Sequence, residues 1–411
     1  MARFAIIVPP FTGHVNPTLS LGSELLRRGH EVGWISLDPA LQHRLPAGGI
    51  LLQTGGGRSS PEQQENDAYL DKITSKSVYG IDSIKFLYED VLIPLNRYMY
   101  ADIRQQLLQF VPDMVITDHQ LFAGAVAARQ LQIPYATSVT APAAINVMED
   151  LPGVHEWEEK QVVALQQELG WPGDQSLDCS DVLTFVFTSQ LFFGTMQLPP
   201  HFRFVGPVIQ HRKTAAAFDW ERFHRTPHPR ILVSIGTTFD HAHKRLFFAR
   251  VVEAFGGMAL TVVVVSDPGL FETVPDNFII QKMVPQLELL PHLQAVVCHG
   301  GHNTVCETLS HGLPLVVIPI AYDQSHVAGR VARTGAGLRL NFNRFKAHHL
   351  RDAVMEVLQQ EQFREAAEQI CSSFEAAGGV SAAAGHLEAL LTTKQDPVAG
   401  RGKMQPAGKG S

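Results

Sequence analysis

Cysteine is scarce: 4 in 411 residues, at Cys179, Cys298, Cys306 and Cys371, with no Cys-x-x-Cys pair. That scatter excludes a disulfide framework and a cysteine-rich zinc module, and it reads as reduced thiols in a cytoplasmic protein. No apolar run approaches the roughly 18–20 residues that span a bilayer. The opening Arg3-Phe4-Ala5-Ile6-Ile7-Val8 has too short an apolar core for a signal peptide, and Pro9-Pro10 follows at once. Charged residues make up only 18%, the formal net charge is −7, and there is no basic cluster. A nucleic-acid surface is therefore excluded, and a membrane-surface enzyme acting on lipid is disfavoured. Familiar catalytic loops are missing too. No G-x-G-x-x-G follows a strand, which argues against a dinucleotide dehydrogenase, and no G-x-x-x-x-G-K-[ST] marks a P-loop. No G-x-S-x-G marks a hydrolase elbow. No Asp-x-Asp pair is present to anchor a metal–nucleotide complex.

What the chain does have is length for two ordinary cores and 45% hydrophobic residues. Strand and helix patterns alternate nearly throughout. Strands are expected at Phe4–Val8, Glu31–Ser36, Met114–Thr117 and Tyr135–Ser138, with helices at Pro17–Arg28 and Phe122–Leu131. Between Gly55 and Ala101 the pattern blurs into a long loop followed by one or two helices carrying Tyr79, Phe86, Tyr88, Tyr98 and Tyr100. Alternation restarts with strands at Arg230–Ser234, Leu260–Val265, Phe278–Lys282, Ala295–Cys298, Leu315–Ile318 and Gly337–Leu340, and helices run on through Ala347–Leu391. The fold class is α/β, with two doubly wound domains built from βαβ units. Residues 1–207 form the first domain, 208–226 an interdomain linker and 227–375 the second domain. Residues 376–393 form a C-terminal helix that can pack back on the first domain, and 394–411 a disordered tail. Ligands in such folds lie at the carboxyl ends of the strands, here in the cleft between domains.

Five constellations stand at those strand ends. The most informative is His299-Gly300-Gly301-His302-Asn303-Thr304 with Glu307, between a buried strand and a helix start. A glycine pair there leaves backbone N–H groups free for an anion, so a phosphorylated ligand is expected in the carboxyl half. Glu307, one turn on, is placed to accept from ribose hydroxyls, although a first-turn surface glutamate would look the same. Gly13-His14-Val15-Asn16-Pro17 follows the first strand, and His14 is a candidate general base. Asn16 as N-cap and Pro17 as first helical residue explain their own presence without using up His14. Asp118, ending another strand, can orient His14 or simply cap the next helix. Ser234-Ile235-Gly236-Thr237 suits close approach to phosphate and suits a tight turn equally. Asp323-Gln324, after the strand Leu315–Ile318, can bind a polyhydroxyl ligand or open a helix. A zinc site at His299, His302 and His311 lacks a companion Cys or carboxylate set.

Taken in order, these residues resemble the family 1 glycosyltransferases of the GT-B fold, and more narrowly the bacterial macrolide-type branch that includes zeaxanthin glucosyltransferases. Met283-Val284-Pro285-Gln286, then His299 to Thr304, Glu307 and Asp323-Gln324, are similar to that family's nucleotide-sugar signature. The resemblance implies that His14 deprotonates the acceptor hydroxyl with support from Asp118. It implies that Met283, Val284 and Gln286 lie by the base and ribose, and that Glu307 binds the ribose. Ser234, Gly236, Thr237, His299, Gly301, His302, Asn303 and Thr304 hold the diphosphate, and Asp323 with Gln324 holds the sugar. The chain departs from plant members at Met283, where they usually carry Trp, and at Val327, where their signature continues with Asn. The implied activity is an inverting, metal-independent transfer of a hexose, glucose from UDP-glucose foremost, to an apolar acceptor such as a polyketide, phenolic or carotenoid. No cofactor is needed beyond the nucleotide-sugar co-substrate. A hydrolysing nucleotide-sugar epimerase and a non-catalytic nucleotide-sugar-binding protein are the alternatives.

Overall fold

The computed structural model describes residues 1–54, 81–209, 218–226, 229–236, 241–321 and 323–395. The thirteen strands among these residues make two wholly parallel sheets. The first has seven strands in the order β3-β2-β1-β4-β5-β6-β7. These are β1 Arg3–Ile7, β2 Glu31–Ser36, β3 Ile50–Gln53, β4 Met114–Asp118, β5 Tyr135–Val139, β6 Thr184–Val186 and β7 Phe202–Phe204. The second has six, ordered β10-β9-β8-β11-β12-β13. They are β8 Arg230–Ser234, β9 Thr261–Val265, β10 Phe278–Gln281, β11 Ala295–Cys298, β12 Leu315–Val317 and β13 Gly337–Arg339. Runs such as Thr261-Val-Val-Val-Val265 are apolar on successive residues because helices cover both faces of the sheet. Apolar clusters flank each sheet on both sides.

In each sheet the strand order reverses once, between β1 and β4 and between β8 and β11. There the loops leaving adjacent strands turn to opposite faces and open a crevice. The registers Ile7↔Thr117 and Ser234↔Cys298 bring the loops that follow them out side by side.

The strands that the sequence pattern does not reveal, β3, β6 and β7, are only three or four residues long. Helices Ala143–Asp150 and Pro152–Glu168 are also absent from the sequence expectations. The second is mostly exposed, burying Val162, Leu165 and Gln166, so it shows little apolar periodicity. The first helix begins at Thr12, not at Pro17. Phe11 is its N-cap, so His14 lies in the first turn and Asn16 caps nothing. The aromatic stretch is a helical run from Ile81 to Phe110, with a π-helical segment at Leu87–Leu92. Ile93 N–H bonds the Tyr88 carbonyl five residues back. Pro94 follows directly and has no N–H to give, which accounts for the local change of ladder. The expected long loop before it, with its glycines and Tyr79, lies outside the described residues. Residues Trp220–Arg225, expected to belong to a linker, form a short helix whose Phe223 is fully buried among second-sheet residues such as Leu232 and Val263.

Helix Gly379–Gln395 crosses back to the first sheet. Ala383, Ala384 and Leu387 are fully buried with Phe4, Leu21 and Leu25. On its rim Glu388 accepts from Arg28 Nη1 at 2.6 Å and meets His30 Nε2 at 2.9 Å. Removing the fully buried side chain should cost far more than removing the partly exposed charge. Leu387→Ala is expected to lose about 2–5 kcal/mol, and Glu388→Ala no more than about 1 kcal/mol. Urea denaturation of both variants checks this; equal midpoints would mean that the helix is not part of the first core.

Candidate active site

Asp118 ends β4 with its side chain fully buried. It does not cap the next helix, which has Leu121 at its N-cap with no side-chain cap bond. Its carboxylate is instead surrounded by donors. His14 Nδ1 lies 2.9 Å from Oδ2, the Thr140 hydroxyl donates to Oδ2 at 3.1 Å, and the Gln120 N–H donates to Oδ1 at 2.9 Å. His119 Nδ1 stands 3.4 Å from Oδ1. Burial alone would push the Asp118 carboxyl up. The His14 and His119 rings and these hydrogen bonds outweigh it and hold the group below the ordinary carboxylate value. An ionised Asp118 fixes the neutral His14 ring with its proton on Nδ1, which leaves Nε2 with a free lone pair. Phe11 packs its ring at an angle to His14, with centroids 5.8 Å apart. The His14 side chain remains 14% exposed, enough to meet a substrate.

In the second domain, β11 runs into Gly300, whose φ of +92° is one that L side chains rarely adopt. A Cβ there would lie 2.9 Å from Val317 and 3.0 Å from the Gln324 carbonyl. Gly301 is the N-cap of helix His302–Leu309. It contributes no side-chain cap, and the first turn holds no acid. The first N–H groups of the helix therefore have no protein acceptor built into their own cap. The His299 ring lies between the glycines: a Cβ on Gly301 would come within 2.7 Å of its Nε2, and one on Gly236 within 2.9 Å of its Cε1. Burial lowers the pKa of His299 to about 4, partly offset by a bond to the Ser234 backbone, so the ring is neutral. Its Nδ1 is buried without a hydrogen-bond partner. Glu307 is buried and accepts from Gln286 Nε2 at 2.6 Å, which ties the Met283–Gln286 loop to the helix. Met283 is 62% exposed on that loop, while Val284 is buried. Asp323 precedes helix Gln324–Arg333 without capping it by its side chain. Gln324 is committed through Oε1, which accepts from the Ile320 and Ala321 N–H groups at 2.9 and 3.1 Å.

The two halves meet. Asn303 Nδ2 donates to the Gly13 carbonyl at 3.3 Å, across 290 residues of chain. That carbonyl is free because Pro17, four residues on within the same helix, has no N–H to give it. His302 Nε2 bonds the Phe187 carbonyl at 3.2 Å, so this ring spans the interface rather than facing an anion; burial lowers its pKa to about 4. Burial raises Asp323 to about 6, against which its own amide and His14 both pull, so His14 acts on it across the cleft. Arg330 Nε donates to the Phe192 carbonyl at 2.7 Å. Ser234 is buried at the end of β8, and Thr304 lies in the first turn of the His302 helix. Thr237 lies outside the described residues. Sequence reasoning missed Thr140, which bonds both members of the pair, because a threonine after a strand carries no signal of its own. It also missed His119, although that residue adjoins Asp118. Among the described residues, His299, His302 and His311 do not converge as ligands of one ion.

Residues 154–375 match the family model described as UDP-glucoronosyl and UDP-glucosyl transferase. Over 96% of its length the chain is 28% identical to the NDP-glycosyltransferase YjiC of Bacillus subtilis (strain 168), covering 99% of that protein. It is 24% identical to a zeaxanthin glucosyltransferase of Pantoea ananas, over 98% of this chain and 99% of that one. Among solved structures, the calicheamicin glycosyltransferase CalG4 superposes with a TM-score of 0.70 at 22% identity, covering 96% of this chain and all of that one, so the GT-B fold is shared. No helix among the described residues is long and apolar enough to cross a membrane. With a switch-point crevice in each sheet, an anion-ready helix start in one wall and a buried Asp–His pair in the other, the chain belongs to the UDP-glucuronosyl and UDP-glucosyl transferase family and is a hexosyltransferase.

Proposed function

We propose that this enzyme transfers a hexose from a nucleotide diphosphate sugar, foremost UDP-glucose, to a hydroxyl of an apolar small-molecule natural product with inversion at the anomeric carbon. The observation that carries the reading is the His14–Asp118 pair at 2.9 Å, placed opposite the helix start Gly301–Asn303 and joined to it by the Asn303–Gly13 bond. The acceptor hydroxyl attacks the anomeric carbon as the diphosphate departs from the far side. His14 Nε2 takes the hydroxyl proton as the new C–O bond forms, and Asp118 stabilises the imidazolium. General-base help of this kind contributes roughly 10²–10⁴ in rate. Negative charge grows on the leaving diphosphate, and the free N–H groups of the His302 helix are aimed at it. One preorganised donor of that kind is worth about 2.7–4 kcal/mol. Neutral His299 supplies a hydrogen bond there without a competing charge. Glu307, held by Gln286, takes the ribose hydroxyls, and Asp323 with Gln324 Nε2 takes the sugar hydroxyls. No step needs a metal. The relatives point the same way: one is named for an NDP-glycosyl donor and another for glucose transfer to zeaxanthin, an apolar acceptor. The ring cluster of Tyr88, Phe122 and Trp157, which reaches Phe11 and through it His14, offers an apolar wall for such an acceptor. All four cysteines are unpaired, as suits a reducing cytoplasm.

His14→Ala should lower kcat by about 10²–10⁴ with little change in donor KM; near-unchanged turnover with UDP-glucose and a good acceptor would remove His14 from the role of base, and a product of retained configuration would end the single-displacement mechanism. Gly301→Ala puts a methyl group where His299 stands, so calorimetry should show UDP binding lost while the far-ultraviolet circular dichroism is unchanged; undiminished UDP affinity refutes the grip assigned to Gly301–Thr304. The sugar-binding role of Asp323 needs the carboxylate, which is ionised above its pKa of about 6 and protonated below it. Donor KM is therefore expected to rise as pH falls from 7.5 to 5.5, and Asp323→Asn should be high at every pH and flat across that window. A variant that keeps the wild-type pH profile would place the titration elsewhere.

A further inference from the structure

We propose that His14, Asp118 and His119 form an inhibitory binding site for a divalent transition-metal ion of the zinc class. Their ligand atoms lie within 4.8 Å of one another, and they are the one such group among the described residues. His119 is the unexpected member. It is 6% exposed, and neither of its ring nitrogens makes a hydrogen bond. A buried imidazole with both nitrogens unsatisfied is costly and calls for an explanation. Its Nδ1 faces Asp118 Oδ1 at 3.4 Å, and its ring stacks on that of His14 with centroids 5.7 Å apart and planes 21° from parallel.

The donor set is two imidazoles and one ionised carboxylate, a combination suited to zinc at bonds of about 2.0–2.2 Å. Those bond lengths require tetrahedral ligands about 3.3 Å apart. The carboxylate reaches the two rings through different oxygens, Oδ2 at 2.9 Å from His14 Nδ1 and Oδ1 at 3.4 Å from His119 Nδ1, and all the ligand atoms fall within 4.8 Å of one another. The Thr140 hydroxyl, 2.7 Å from His14 Nδ1, is a neutral group at the same spot. Asp323 interacts with His14 across the cleft, and Asp178 acts on His119; both negative charges favour a cation.

Binding would remove the base. With no metal, the neutral His14 ring carries its proton on Nδ1 toward Asp118 and keeps Nε2 free. A metal takes the Nδ1 lone pair, so the ring proton moves to Nε2, the nitrogen that must receive the acceptor's proton. No proton is gained or lost overall, yet the base is gone. The ion is thus an inhibitor that competes with the Asp118 hydrogen bond, and this consequence rests on the base role assigned above, whereas the site itself does not.

The test uses the full-length protein with any affinity tag removed. CoCl2 is titrated and read by its visible ligand-field absorption, ZnCl2 is used to displace it, and turnover is measured against free Zn2+. The wild type should bind one Co2+ with the intense band of a four-coordinate site, release it to Zn2+, and lose turnover over the same Zn2+ range, with recovery on chelation. His119→Phe should weaken Co2+ binding, and Zn2+ inhibition measured against that variant's own metal-free turnover, by at least the 10–100-fold that even an outer-shell partner is worth. Saturable Co2+ binding that is absent in the wild type, or unchanged in the folded His119→Phe protein, overturns the site. If that variant does not fold, His119→Gln and the imidazole proton resonances of the wild type under Zn2+ decide the same question. Co2+ bound at these residues with turnover untouched by Zn2+ confirms the site and refutes the base role of His14 instead.

Discussion

A buried carboxylate fixes one wall of the cleft. Asp118 cannot be solvated, so it must be met by donors, and the fold supplies them from three places: the first turn of the helix after β1, the turn after β4, and Thr140 beyond β5. These places are neighbours because β1, β4 and β5 are neighbours in the sheet. The same donors that make the charge tolerable also set the tautomer of His14 and its direction. Structural need and chemical function are thus met by one arrangement, and moving any of the three strands by one residue would break both.

The opposite wall works by removing atoms. Gly300 and Gly301 have no side chains where Val317, the Gln324 carbonyl and the His299 ring come close, and the helix that follows has no cap. What remains is a set of backbone N–H groups without an acceptor built into their own cap, which under the proposed function need little reorganisation when charge moves onto a leaving group. Burial keeps His299 and His302 neutral, so neither ring adds a fixed positive charge to the helix start.

Joining the walls depends on small defects in regular structure. Pro17 breaks the ladder of its own helix and frees the Gly13 carbonyl for Asn303. Phe192, from the first half of the chain, packs with Phe374 from the second, while helix Gly379–Gln395 returns to the first core. The two sheets are therefore linked by exchanged segments as well as by a connecting strand of chain. His14, from the first domain, is among the groups that act on the Asp323 carboxyl in the second, so the cleft is coupled electrostatically from one wall to the other.

The α/β class, the two sheets and most long strands were legible in the sequence, because a doubly covered parallel strand writes itself as a continuous apolar run such as Thr261–Val265. The glycine pair before the His302 helix was legible too, since few residues can occupy a left-handed turn against a neighbouring strand. The helix start at Thr12 was not, because a proline near the start of a helix reads as its beginning when only local preference is weighed. Three-residue strands at the sheet edge carry no period to detect. Sequence by itself therefore determined which residues could do chemistry and which backbone could bend. Only the tertiary structure decided which of them meet: that Asp118 faces His14 and not its own helix, that His302 reaches Phe187, that Gln286 is tied to Glu307, and that His119 is sealed beside His14 and Asp118. The physical reason is that hydrogen bonds act over about 3 Å, while the residues that make these are up to 115 positions apart in the chain and are brought together by strand order within a sheet and by the meeting of the two halves.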